Sequence, residues 1–380
     1  MAGTLGLVQI GQFTPTAPVI LAPMAGVTNA PFRTMCRTFA PGLIYVNEMV
    51  MATAVVMNNP KTQRMMTFSD DDQPRSLQVY GSDPVMIREA IHKLCSEGRV
   101  DHIDLNFGCP AQKVTRKGGG AAVPAKPNLL RAILRAAVGA ATPYNVPVTA
   151  KFRKGLFDTL PTFLSTGKIA ADEGITAIAL HARTAEQHYA GQADWSAIGE
   201  LKAAVSSIPV LGNGDIWEAA DAVAMMRQTD CDGVVIGRGC LGRPWLFGQL
   251  VDVLNGRPAA APPLLGEVTT HVRTHAQLLV EHLGENLAMR DFRKHTSWYL
   301  TGYPVGSDIR RQFSQVQSMG HLEDLIATLD PTVSIVEGGE RIKRGHTNGP
   351  IRVALPDGYL DSLDDDAVPD DGNVFALSGG

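Results

Sequence analysis

The chain of 380 residues is 44% apolar and 19% charged, which supplies a packed core and excludes a disordered chain. Its 34 Lys and Arg against 38 Asp and Glu leave a net charge of −4, which excludes nucleic-acid binding by bulk positive charge but not by a local basic face. No apolar run is long enough to span a membrane, and the N-terminus lacks the basic-then-apolar pattern of a secretory signal. The cysteines Cys36, Cys95, Cys109, Cys231 and Cys240 are odd in number and show no CxxC pair. A disulfide framework, a zinc site and an iron–sulfur cluster are therefore not expected, and the reducing cytoplasm is the expected compartment.

Short apolar, β-branched runs predict strands over 19–22, 43–47, 76–80, 102–106, 147–152, 176–181, 208–213 and 232–237. Helical patterns fall between them, near 31–40, 50–57, 84–97, 127–141, 161–173, 195–205, 217–229 and 245–254. Asp83 before Pro84 reads as an N-cap followed by proline at the first helical position, with Ser82 as a competing cap. This alternation predicts an α/β fold, a (β/α)8 TIM barrel over 1–255. The rival, an open doubly wound sheet, wants a Gly-rich dinucleotide loop after its first strand, where this chain has Pro23-Met24-Ala25-Gly26.

The Pro- and Ala-rich stretch 256–263 predicts a linker. Residues 264–330 read as a small C-terminal helical domain resting on the barrel, with Leu278, Leu279, Leu283 and Leu287 at helical spacing. Residues 331–380 hold nine acids and four bases. Asp364-Asp365-Asp366 and Pro369-Asp370-Asp371 predict a solvated, disordered acidic tail.

In such barrels the active site lies at the C-terminal ends of the strands. Polar residues recur there: Asn47 and Glu48, Gln78, Asn106 with Cys109, Lys151 with Arg153, His181 with Arg183, Asn213-Gly214-Asp215, and Gly237-Arg238. The last two loops, GNGDI (212–216) and IGRGCLGRPW (236–245), carry the glycines and the arginine of a phosphate site. Lys151 at a strand end suits an anion or electron-rich ring, with a Schiff-base lysine as the competing reading. Cys109, followed by Pro110, reads as a nucleophile or a proton donor. The other four cysteines read as buried filler. The stretch KVTRKGGGAA (113–122) reads as a mobile, basic loop beside the site, either a lid or merely a flexible surface loop.

The motifs APMAGVTNAPFR (22–33), LQVYGSDP (77–84), DLNFGCPAQKV (104–114), HARTAEQHYAGQADW (181–195), PVLGNGDI (209–216) and GVVIGRGCLGRPWLF (233–247) resemble those of the tRNA-dihydrouridine synthases. The stretch RDFRKHTSWYL (290–300) is similar to the C-terminal domain of the bacterial DusB branch. The resemblance covers about residues 8–330 and keeps the order of the motifs.

It implies an FMN-bearing barrel, NADPH or NADH as reductant, and tRNA as the partner, in a soluble, metal-free protein expected to be a monomer. Hydride passes to C6 of a D-loop uracil, with position 17 of the tRNA as the expected target. By position Cys109 is the proton donor to C5. Pro23, Met24 and Ala25 match the segment beside the flavin ring, and Gln78 and Lys151 match polar contacts to it. Asn213, Gly214, Asp215, Gly237 and Arg238 match ribityl and phosphate contacts. Asn106 matches the asparagine beside the uracil, and His181 and Arg183 match residues near flavin and substrate.

Adding hydride to C6 places charge on C5 and O4, so an acid is needed on the other face of the ring. A uridine must leave its stack to enter a barrel mouth, at a cost of a few kcal/mol, so tRNA contacts are required elsewhere. The local bases Arg290, Arg293, Lys294, Arg310 and Arg311 are the candidates, in a helical region that carries six Lys/Arg against eight acids. Three alternatives stay open: an FMN barrel acting on a small molecule, an aldolase-like barrel using Lys151 without flavin, and a tRNA-binding protein without catalysis.

Overall fold

The structure, a computed structural model, describes residues 8–369. Eight parallel strands close into a barrel: β1 (Val19–Leu21), β2 (Ile44–Met51), β3 (Ser76–Tyr80), β4 (His102–Phe107), β5 (Val148–Arg153), β6 (Ala177–His181), β7 (Val210–Asn213) and β8 (Gly233–Ile236). Leu21 opposite Ile236 closes β1 on β8. A small hairpin, Gly155–Phe157 with Leu160–Pro161, stands outside the barrel after β5.

The strands read as near-continuous apolar runs because one face meets the surrounding helices and the other fills the barrel. Helix starts follow local chemistry. The Asp83 carboxylate accepts from the Val85 N–H, with Pro84 opening helix Pro84–Ser96. The Asn29 side chain caps helix Ala30–Phe39 in the same way, through the Phe32 N–H. β2 runs longer than expected, to Met51, because Met49 and Met51 continue to pair with Gln78 and Tyr80 beyond a register shift. The helix expected from residue 50 is therefore cut to Ala52–Val56.

Alternation along the strands divides the barrel interior. One side is apolar, from Ile20, Val46, Ala177, Ala179, Leu211 and Val235. The other is polar. Ser76, His102, Thr149, Asp104 and Gln78 are all buried there, side by side on β3, β4 and β5.

Residues 265–326 form four helices, Leu265–Leu283, Glu285–Tyr299, Ser307–Phe313 and Met319–Ile326. They enclose a second apolar core that includes Val268, Val272, Phe292 and Leu322 and receives Trp245 from the barrel side. Gly242 permits the contact between the two parts: its φ is +64°, and a Cβ there would lie 2.2 Å from the Trp298 backbone.

The described part of the acidic tail, residues 331–369, corrects the expectation of a disordered end. Arg344, Val353 and Tyr359 are buried. Val353 and Tyr359 share an apolar cluster with Ala121, Ala122, Ala125 and Leu156. The cause is apolar burial supported by ion pairing, since Asp365 pairs with Lys126 at 3.0 Å instead of facing water alone. Asp370-Asp371 lie outside the described residues.

Candidate active site

A cavity of about 760 Å³ opens at the C-terminal ends of the strands. Parallel register assembles it. Asn106 pairs with Lys151, and His181 stands opposite Asn213 and Arg153. Pro23, Met24, Ala25, Gln78, Asn106, Cys109, Lys151, His181, Asn213, Gly214, Asp215, Gly237, Arg238 and Lys294 all line this one cavity.

The wall from β6, β7 and β8 is built by short-range clamps. Asn213 Nδ2 donates to the Val235 carbonyl at 2.7 Å. Asp215, in the left-handed region at φ +54°, accepts from Arg183 Nη2 at 2.7 Å and from the Ala193 N–H at 2.7 Å. Arg183 also donates to the carbonyls of Ala190 (3.0 Å) and Gly191 (2.9 Å). Arg238 lies with its guanidinium 4.1 Å over the Tyr189 ring and 5.2 Å from the Trp217 ring. A Cβ on Gly239 would stand 2.2 Å from the Ile216 carbonyl oxygen, so the two final loops touch only because that residue is glycine.

The floor is electropositive. Lys151 makes no hydrogen bond or ion pair with any described residue and faces the cavity. Burial, aided by the Arg153 charge and opposed by Asp104, pushes its ammonium down to about 7. His181 is held well below its ordinary value by burial and by Arg153, Lys151, Arg183 and Arg238, so it is a neutral imidazole at pH 7.

The opposite wall carries the thiol. Asn106 Oδ1 accepts from the N–H groups of Gly108 (3.0 Å) and Cys109 (2.8 Å) and so folds the loop after β4. Asn106 Nδ2 donates to Gln78 Oε1 at 2.7 Å, and Gln78 Nε2 donates to Asp104 Oδ2 at 2.7 Å. The Thr149 hydroxyl donates to the other oxygen, Asp104 Oδ1, at 2.6 Å. Behind it, His102 Nε2 lies 2.9 Å from Thr149 Oγ1, and His102 Nδ1 lies 2.6 Å from Ser76 Oγ. Burial pushes His102 down to about 4. Burial raises Asp104, against the hydrogen bonds from Thr149 and Gln78 and the nearby Lys151 charge. Burial also raises the Cys109 thiol, opposed by the Ala111 N–H and by Arg153 and Lys113. Cys109 is half-buried, whereas Cys36, Cys95, Cys231 and Cys240 are buried.

Several expectations change. Arg183 is fully buried and is not among the residues lining the cavity; it holds Asp215. Asn47 is buried and donates to the Met65 carbonyl at 2.8 Å. Glu48 takes the Gly26 N–H, which fixes the segment after β1. The glycine-rich stretch is no lid, because Gly118 to Lys126 are buried. Its glycines serve close packing: at Gly120 a Cβ would fall 2.6 Å from the Cys109 carbonyl oxygen.

Among the helical-domain bases only Lys294 reaches the cavity, paired with Asp291. Arg293 donates to the Val316 carbonyl at 2.9 Å, and Arg310 to the carbonyls of Leu300 (2.7 Å) and Tyr303, so both are spent on backbone. Arg290 is exposed, and Arg311 is exposed beside Asp308 at 3.0 Å.

Sequence reasoning missed Tyr189, Trp217 and His346 in the lining, and it favoured a core over a stacking place for Trp298, which lines the cavity. Tyr189 stood inside a quoted motif; His346 carried no signal. Among the described residues no group of three His, Cys, Asp or Glu is placed to hold a metal, and no helix is long and apolar enough to cross a membrane.

Comparison with known proteins now bears on this site. The family model described as dihydrouridine synthase (Dus) matches residues 20–333. The chain belongs to the dihydrouridine synthase family. A "Probable tRNA-dihydrouridine synthase" of Mycobacterium tuberculosis is 50% identical over 377 residues, covering 98% of this chain and 97% of that relative. A "tRNA-dihydrouridine synthase B" of Pseudomonas putida is 39% identical over 313 residues, covering 82% of this chain and 91% of that relative. The fold also resembles a histamine dehydrogenase from Rhizobium sp. 4-9 at 11% identity and TM-score 0.52. That match covers 86% of this chain and 65% of the other. The closed ring of eight parallel strands, each followed by helix, is an eight-stranded TIM barrel.

Proposed function

We propose that this protein reduces the C5=C6 bond of a D-loop uridine in tRNA, with FMN as resident cofactor and NAD(P)H as reductant. The observation that carries the reading is the meeting, in one cavity, of an unpartnered Lys151, the Arg238–Gly239 loop and the Cys109 thiol. The cavity fits FMN on its own chemistry. The close contact of Gly239 with Ile216 and the charge of Arg238 suit a phosphate at the β7–β8 loops. Lys151 is a half-buried cation without a hydrogen-bond or ion-pair partner among the described residues, facing the space where a ring would lie.

FMN, when bound, carries hydride from NAD(P)H to C6 of the uracil. The chain's residues do the rest. Gly237, Arg238 and Gly239 hold the phosphate, Asn213, Gly214 and Asp215 the ribityl chain, and Gln78, Lys151 and neutral His181 the ring. Pro23, Met24 and Ala25 support the ring's edge. Asn106 orients the uracil and the loop together.

Charge arriving on C5 and O4 is quenched when Cys109 Sγ gives its proton to C5. A thiol raised by burial stays protonated at neutral pH, as a proton donor must. Lys294 and Trp298 at the rim face the flipped nucleotide, and exposed Arg290 and Arg311 lie available to tRNA phosphates. Such a substrate places the work in the cytoplasm.

The test is a single turnover. The FMN-loaded enzyme is reduced with NADPH without oxygen and mixed with tRNA lacking dihydrouridine, and nuclease fragments are weighed. Two hydrogens gained at one D-loop uridine support the reading. A reducible flavin that leaves tRNA unchanged but is reoxidised by a free pyrimidine would move the substrate to a small molecule.

A further inference from the structure

The family model ends at residue 333, yet the chain continues around the rim of the cavity. Arg344 donates to the Thr301 carbonyl at 3.0 Å, tying the tail to the helical domain. Gly345 and His346 then line the cavity, and the His346 carbonyl accepts from Arg238 Nη1 at 2.7 Å. The Asn348 carbonyl accepts from the Tyr189 N–H at 3.2 Å, and the Ile351 N–H donates to the Glu186 carbonyl at 2.8 Å. The tail has by then passed from the β8 loop to the β6 loop.

It finishes against the loop after β4. The Tyr359 hydroxyl donates to the carbonyls of Gly118 (3.4 Å) and Ala122 (3.3 Å), and its ring is buried under the Lys126 ammonium at 4.9 Å. Lys126 pairs with Asp365, and Asn128 Nδ2 donates to the Asp364 carbonyl at 2.8 Å. The layer under Tyr359 is the one that holds the thiol's backbone. The Ala121 N–H donates to the Cys109 carbonyl at 3.0 Å, and Gly120 stands too close to that oxygen to carry a side chain.

We propose that residues 345–365 are a positioning element for Cys109, anchored by Tyr359, which keeps the loop after β4 closed over Ala121 and so fixes where the thiol points. The tail thereby belongs to the catalytic apparatus without touching the reacting atoms. Its kinetic consequence rests on the function proposed above; its effect on the thiol does not.

The experiment uses the full chain with FMN bound, in two variants. Tyr359→Ala removes the anchor. Asp365→Asn weakens the Lys126 pair from a half-exposed site and keeps the side chain's shape and its acceptor for the Ala367 N–H. Alkylation by iodoacetamide reads Cys109, because the other four cysteines are buried, and Cys109→Ala gives the blank. Alkylation is expected to speed up about tenfold in Tyr359→Ala and about twofold in Asp365→Asn, as the loop opens locally.

Oxidation of the NADPH-reduced enzyme by tRNA is expected to slow about tenfold in Tyr359→Ala, because a misplaced donor loses rate steeply, while reduction by NADPH stays unchanged. Equal alkylation rates in wild type and variants overturn the proposal. So does a parallel slowing of both half-reactions, the mark of a merely structural strap. Should Tyr359→Ala fail to fold, the alkylation rate of Asp365→Asn decides. Faster alkylation with a wild type that leaves tRNA unreduced sustains the positioning role and refutes the assigned substrate.

Discussion

The wall built by β6, β7 and β8 is clamped chiefly between neighbouring βα loops, with the tail crossing it by backbone contacts at Arg238, Tyr189 and Glu186, whereas the layer behind Cys109 takes a buried side chain, Tyr359, from the tail. Arg183 and Asp215, the main clamp of the first wall, are 32 positions apart. Tyr359 and Gly118, across the second, are 241 apart. The first wall needs only two βα loops and their glycines to form a phosphate cradle. The second needs a polar array inside the barrel and a tail outside it. The difference follows from the tasks. A cofactor site must bind one rigid ligand, while a proton donor must be aimed at a substrate that arrives and leaves.

The sharpest way to divide the two walls is Cys109→Ala. Removal of a positioned proton donor is expected to cost about 100-fold or more in oxidation of the reduced enzyme by tRNA. Reduction of the flavin by NAD(P)H, which does not call on the thiol, should keep its rate. Stopped-flow absorbance follows both halves. Equal losses in both would show that the thiol wall also builds the cofactor site.

Arg183→Met attacks the other wall. The guanidinium is fully buried, and removing it takes the charged donor from Asp215, which keeps the Ala193 N–H, and leaves the carbonyls of Ala190 and Gly191 without that donor. Breaking a buried pair in this way costs about 3–5 kcal/mol. Thermal denaturation should show that loss, together with release of FMN on gel filtration. Alkylation of Cys109 in whatever protein remains folded should be unchanged, which is the test of separateness.

The same division decides what could be read from the sequence. Strand ends, the GNGDI and IGRG loops and the NFGCP turn are local patterns, and most of the residues they picked line the cavity, with Asn47, Glu48 and Arg183 the exceptions. The barrel followed from alternation alone, since two-sided burial makes each strand a short apolar run. What escaped was long-range. Arg183 looks like a site residue because it follows a strand end, but only the fold shows that its charge is spent on Asp215. Gly118-Gly119-Gly120 looks like freedom and is close packing. The tail looks solvated by its acids. Its signal lay in Val353, Leu355, Tyr359 and Leu360, apolar residues with no periodicity to announce a partner. Nothing local could show that they meet Ala121 and Ala122.

Lys151 lies between the walls, and its titration measures how tightly the cavity closes on a cofactor. In the free protein its ammonium sits at about 7, below the ordinary 10.5. The free fold therefore bears the full cost of this half-buried, desolvated cation below pH 7, and that cost is relieved as the pH rises from about 7 toward 10.5. An electron-rich ring or phosphate beside Lys151 restores the charged form, so FMN binding takes up a proton above pH 7. FMN affinity is expected to weaken by at most about tenfold per pH unit above that point. Titration of flavin fluorescence at several pH values measures the slope. Lys151→Met should flatten it, and a flat wild-type profile would remove Lys151 from the cofactor contact.

The smallest expected effect tests how orientation passes through the polar array. A carboxylate only accepts, so both arms must donate to Asp104. Gln78 therefore turns its NH2 to Asp104 and its carbonyl to Asn106, and Asn106 is left with its own carbonyl facing the Cys109 N–H. In Asp104→Ala the Gln78 NH2 loses its acceptor, and the Gln78–Asn106 pair is held only from the side of the Gly108 and Cys109 N–H groups. The tRNA half-reaction should fall about tenfold, the scale of one hydrogen bond lost at the loop. Asp104→Asn should be far milder. The new amide oxygen can still accept from Gln78, while its NH2 donates to Thr149. The Thr149 hydroxyl then donates to His102 Nε2, and neutral His102 takes its other tautomer and donates from Nδ1 to Ser76. The whole second arm reverses without leaving the loop unsupported. Activity within about threefold of wild type for Asp104→Asn, against the larger loss for Asp104→Ala, would identify the array as a device for orienting amides, since a need for negative charge would make the two variants equally poor.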